Sequence, residues 1–178
     1  MINQRTNPPL SLRSRTSLKK GGNSGFTLME LLVVVIIIGI LTMVSASSYR
    51  TAQIKARDTE RKASLDAVSK SLMMYYNDKG VFPGTFVFGN EATGFVDPQN
   101  TEIIYMRKTP EDPKNEGDYV YKYHPSVDLK QFALFVNLEN KDDSQCKDSA
   151  NYYNVDGKDY CYGISSPNTT PEDIANNY

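Results

Sequence analysis

Residues 26–46 read FTLMELLVVVIIIGILTMVSA, an apolar run in which Glu30 is the single charged side chain. About 20 apolar residues in helical conformation cross the hydrocarbon core of a bilayer. This stretch therefore reads as a membrane span. A carboxylate at the centre of such a helix costs about 2.5–3.5 kcal/mol, and less towards the interface. Glu30 lies near one end, so its presence implies a compensating partner. Gly25 stands immediately before the run. A cut after Gly25 would turn Phe26 into a new α-amino terminus, with Glu30 as the fifth residue of the shortened chain. The acid of one helix could then meet the N-terminus of another.

Charge is unevenly distributed around this segment. The chain carries −1 in total, of which +5 lies in residues 1–25 (Arg5, Arg13, Arg15, Lys19, Lys20, with no acid), leaving −6 for the rest. Lys and Arg are retained on the cytoplasmic side of a membrane span. The expected topology is an N-terminus inside and an acidic C-terminal body outside. Residues 1–24 are rich in Ser, Asn, Thr and Pro and show no apolar period, so they read as a disordered leader.

The Gly25-Phe26-Thr27-Leu28 junction, followed by Glu30-Leu31 and an apolar run containing Gly39, resembles the type IV prepilin family, including the pseudopilins of type II secretion systems. Arg61, Lys62, Asp66, Leu72, Tyr75, Gly80 and Pro83 continue the likeness more loosely, as does Pro110-Glu111-Asp112-Pro113. The resemblance implies a pilin fold, cleavage by a prepilin peptidase between Gly25 and Phe26, and N-methylation of Phe26. It also implies a role for Glu30 in assembly. The partners it implies are further copies in a helical filament, the peptidase, an inner-membrane assembly platform and membrane lipid. The location would be the cytoplasmic membrane first, then an extracellular or periplasmic filament.

Other readings of the same residues remain open at this stage. A bitopic protein with an extracellular binding or sensing domain would keep residues 1–25. A secretory signal would be cut near Ser45-Ala46-Ser47, though its apolar core is usually shorter. A competence pilin would engage DNA, but no clean basic patch with exposed aromatics is seen, and no specific nucleic acid is expected.

Beyond the span the helical pattern continues. Residues 47–79 contain no Gly or Pro, and Leu65, Val68, Leu72 and Tyr75 recur at helical spacing on one face. Asp58 with Lys62, and Asp66 with Lys70, are expected to pair along the helix. Gly80 and Pro83 predict its end. Residues 84–117 read as a long loop with a short helix or strand near Glu102–Arg107. Tyr119, Tyr121 and Tyr123 alternate as in a strand, and Phe132, Leu134, Val136 and Leu138 share one face of another. Asp156-Gly157 predicts a tight hairpin turn. Residues 164–178 read as a loose tail. The expected class is α+β: a leader (1–25), a membrane-spanning helix half (26–46), an amphipathic half (47–79) and a head (80–178). In that head a small antiparallel sheet lies on the helix.

The chain has two cysteines, Cys146 and Cys161. In an exported domain such a pair is expected to form a disulfide. No catalytic constellation, phosphate loop or zinc spacing is present, so a non-enzyme is expected. His124, the single histidine, reads as structural. Asp142, Asp143, Asp148, Asp156 and Asp159 crowd the region of the cysteines, and the major pseudopilins that the chain resembles use a C-terminal Ca²⁺ site. Asp156 reads better as a turn residue and the others as a solvated loop, so neither metal nor cofactor is expected.

Overall fold

The computed structural model describes residues 25–176, with the backbone alone described at 44–47. The leader expected over 1–25 therefore lies outside the described residues, except for Gly25. One helix, α1, runs Leu28–Lys79. The chain divides into two compact units, Met1–Met43 and Val44–Tyr178.

In the first unit, α1 is uncovered. Its apolar window is unburied, and it is the one described helix long and apolar enough to cross a membrane. Thr42 Oγ1 donates to the Ile38 carbonyl at 2.7 Å, so its hydroxyl is satisfied within the helix, as a lipid environment requires.

In the second unit, the rest of α1 is amphipathic. Leu65, Val68, Leu72 and Tyr75 are all buried, as their spacing predicts. The helix stops where it should. Gly80 adopts φ +70°, and its N–H donates to the Tyr76 carbonyl at 2.7 Å, a left-handed cap that favours glycine.

The strands are β1 (Phe95–Val96), β2 (Ile104–Met106), β3 (Lys122–Pro125), β4 (Phe132–Val136), β5 (Tyr153–Val155), β6 (Lys158–Tyr160) and β7 (Tyr162–Ser165), followed by a short helix α2 (Pro171–Ala175). A three-stranded antiparallel sheet has the order β3-β4-β7, and β1-β2 and β5-β6 form separate two-stranded pairs. The fold class is α+β, a helix on small antiparallel sheets. The β5–β6 turn places Asp156 at φ 52° and Gly157 at φ 75°, the two left-handed residues that an Asp-Gly hairpin requires.

Strand β4 is buried on both faces. Phe132, Leu134 and Val136 join Leu65, Val68 and Leu72 in one core cluster. Ala133 and Phe135 belong to a second cluster with Val155, Tyr160 and Ile174. This corrects the loose tail expected at 164–178. Its beginning lies in β7, and α2 seals the outer face through Ile174. The start of α2 is a capping box: the Asp173 N–H donates to Thr170 Oγ1, the Thr170 N–H donates to Asp173 Oδ2, and Pro171 opens the helix.

Two local expectations also change. The Tyr119–Tyr123 alternation yields strand only from Lys122. Tyr119 sits in a turn bridged to Glu116, with its ring under the Arg61 guanidinium and the Lys114 ammonium, 4.9 and 4.5 Å from the centroid. The Asp58–Lys62 pair does not form. Lys62 reaches across to Asp143 at 2.8 Å, and Asp58 binds Arg61 at 2.7 Å. Partners from the head displace the neighbour along the helix. Near Glu102–Arg107 the chain forms β2, which pairs with β1.

Candidate assembly segment and the buried ion cluster

Gly25, Phe26 and Thr27 precede the helix and are exposed, Phe26 by 77%. The Leu31 N–H donates to the Thr27 carbonyl at 3.3 Å, the first turn of the helical ladder. The Glu30 N–H donates to Thr27 Oγ1 at 3.2 Å. Thr27 is thus the N-cap, and Glu30 occupies the third helical position. Thr-x-x-Glu ahead of an apolar run is a capping signature, legible in the sequence and missed there. It supplies part of the explanation for an acid in this segment. A carboxylate in the first turn is stabilised by the positive end of the helix dipole. The exposed surface of the segment is otherwise aliphatic: Leu28, Leu31, Val35, Ile38 and Leu41 all stand in the open.

The head holds the other concentration of charge. Arg61 is fully buried on α1. Its Nε donates to Asp112 Oδ2 at 2.7 Å and its Nη2 to Asp112 Oδ1 at 3.0 Å. Its Nη1 donates to Asp58 Oδ1 at 2.7 Å and Glu139 Oε1 at 2.8 Å. Arg57 grips Glu139 with two bonds, at 2.6 and 2.7 Å, and Lys114 adds a third cation at 2.9 Å. Asp58 also accepts the backbone N–H groups of Glu139 and Asn140. Three cations meet three carboxylates, tying α1 to the Asp112 turn and to the chain leaving β4.

The electrostatics follow the bonding. Burial alone would lower the Arg61 pKa, but the hydrogen bonds to Asp112, Glu139 and Asp58 outweigh it and hold it raised. The Arg57 hydrogen bond, with help from Lys114 and Arg61 and against burial, holds the Glu139 carboxyl well below the usual carboxylate range. Burial lowers the pKa of His124, which sits on β3 away from this cluster. Arg61 belongs to the family likeness, but its burial is not legible in the sequence, because a buried Arg gives no periodic signal of its own.

Cys146 and Cys161 are joined in a disulfide, with Cα atoms 4.8 Å apart. The Lys147 N–H donates to the Cys161 carbonyl at 2.8 Å beside it. Among the acids considered for metal, Asp143 is engaged by Lys62 and Asp156 by Lys122. Among the described residues no group of three or more His, Cys, Asp or Glu is arranged to hold a metal ion.

A family model described as the prokaryotic N-terminal methylation motif matches residues 20–46, the segment containing the Gly25-Phe26 junction and Glu30. The chain is 34% identical over 102 residues to type II secretion system core protein G of Pseudomonas aeruginosa, covering 54% of this chain and 71% of that protein. The chain belongs to the pilin and pseudopilin family. It is also 35% identical over 83 residues to the type IV major pilin protein PilA of Myxococcus xanthus, covering 47% of this chain and 36% of that one. The fimbrial protein EcpC of Eikenella corrodens is 31% identical over 80 residues, 45% of this chain and 50% of the other. No solved structure matches the chain.

Proposed function

We propose that this structural subunit of a pilus or pseudopilus is cut between Gly25 and Phe26 by a prepilin peptidase and methylated on the Phe26 amine. The division follows: residues 1–25 are a leader, 26–46 the span, 47–79 the amphipathic helix half and 80–178 the head. The basic leader holds the N-terminus in the cytoplasm, and the head lies outside the membrane. After the cut, an assembly platform in the membrane draws subunits from the bilayer, and their apolar segments pack against one another in a helical filament core.

The observation that carries this reading is an uncovered aliphatic helix that opens on a capped acid, one turn from the proposed new amine. In the filament, Glu30 of one copy pairs with the Phe26 amine of another. A buried pair adds little net stability, but leaving one charge without its partner is costly, which makes it a device for register. The greater share of core protein G covered, compared with PilA, favours the pseudopilus over a surface pilus. Deleting the chain should then reduce protein secretion more than surface fibres.

Mass spectrometry of the mature protein tests the cut: a chain beginning at methylated Phe26 is expected, and one beginning at Met1 would overturn it. Glu30→Ala should insert in the membrane normally and fail to assemble. Normal filaments from that variant would remove the pairing.

A further inference from the structure

Within the second unit, one face of α1 is left uncovered. Ala52, Ala56, Ala63 and Ala67 are exposed and, at about 100° per residue, share a stripe opposite Leu65, Val68 and Leu72. Small side chains at such a stripe allow another surface to approach closely. A groove lies along each flank. One, of about 300 Å³, is formed with the Asn140–Asp143 segment and is lined by Lys55, Thr59 and Lys62. The other, of about 460 Å³, is formed with the segments around Glu91 and Pro110 and is lined by Glu60, Ser64 and Glu111.

The uncommitted charge of the two grooves is opposite in sign. In the first, Lys62 is held by Asp143, and Asp58 by Arg61. The exposed Lys55 is left without an ion pair among the described residues. In the second, Glu91 is held by Lys108 at 2.5 Å, and Asp112 by Arg61. Glu60 is left without an ion pair among the described residues, and the exposed Glu111 accepts from Asn115. Lys55 and Glu60 stand roughly 140° apart around α1, so one chain cannot bring them together.

We infer that the occupant of each groove is a second copy of this chain, with Lys55 of one subunit meeting Glu60 and Glu111 of the next. This is a heterologous contact: its two halves are different patches, so it repeats without closing and builds an open polymer. The inference rests on the filament reading above and deepens it.

The test is made in cells producing the full chain. Because like charges placed across an interface repel, Lys55→Glu and Glu60→Lys should each cut filament yield by at least about tenfold. The double reversal should restore it to within about twofold. A second measurement uses the absence of free cysteines among the described residues. Lys55→Cys combined with Glu60→Cys should give an oxidant-dependent ladder of covalent multimers, and each single variant at most a dimer. Normal wild-type filaments with both single reversals unaffected, or with no ladder from the cysteine pair, would overturn this contact while sparing the filament reading. A wild-type chain that forms no polymer would remove both.

Discussion

Arg61 and Asp112 face each other through two parallel hydrogen bonds, and neither side chain reaches solvent. The pair joins the middle of α1 to a turn 51 residues further on. Removing one partner of a buried pair leaves an uncompensated charge, at about 3–5 kcal/mol. Asp112→Ala should lower the unfolding free energy of the detergent-solubilised chain by that amount in urea titration. A change below about 1 kcal/mol would show that the cluster relaxes.

The same cluster sets an acid limit. Glu139 is held below the usual carboxylate range in the folded chain, first by Arg57, so the folded state binds its proton less readily than the unfolded state does. Its contribution is complete above the unfolded carboxylate pKa of about 4.3 and is lost as pH falls below it. Asp143, held by Lys62, and Asp97, held by Lys79, shift in the same direction. Thermal midpoints should be flat from neutral pH to about 5 and fall below that. Glu139→Gln should be less stable at neutral pH and should flatten the fall.

Reducing the disulfide should destabilise the head. The cysteines are 15 residues apart, and closing such a loop is worth about 3 kcal/mol in the chain-entropy model. Replacing both cysteines by serine should lower the urea midpoint without changing the helical content of the folded state.

Ile174 is 1% exposed, although it lies only two residues before Asn176, the last residue described. If α2 is part of the core, Ile174→Ala should cost about 2–5 kcal/mol. A loose tail would tolerate it with no measurable loss. Circular dichroism during urea titration distinguishes the two.

Much of the head was legible because its signals are periodic or local. The spacing of Leu65, Val68, Leu72 and Tyr75 located the buried face of α1, Gly80 its end and Asp156-Gly157 the hairpin. The failures have a common physical cause. Lys62 has a tertiary partner that sequence spacing along the helix does not register. Tyr119 keeps the alternation of a strand but is captured by two cations. The tail reads as polar because Ile174 is the one fully buried apolar residue in its described part, with Ile164 and Ala175 only partly covered against the core. Its capping box at Thr170 was the available sign. At the other end, the spacing of Thr27 and Glu30 is that of a helix-capping pair, a sign that rests on the threonine as much as on the acid.

That threonine has a consequence for processing. The winding of α1 begins at Leu28, and its first bonds are anchored on Thr27. The proposed scissile bond lies upstream of Leu28, outside the helix. A protease can therefore sever the leader without first melting a turn, and the released subunit keeps its coil intact to the tip.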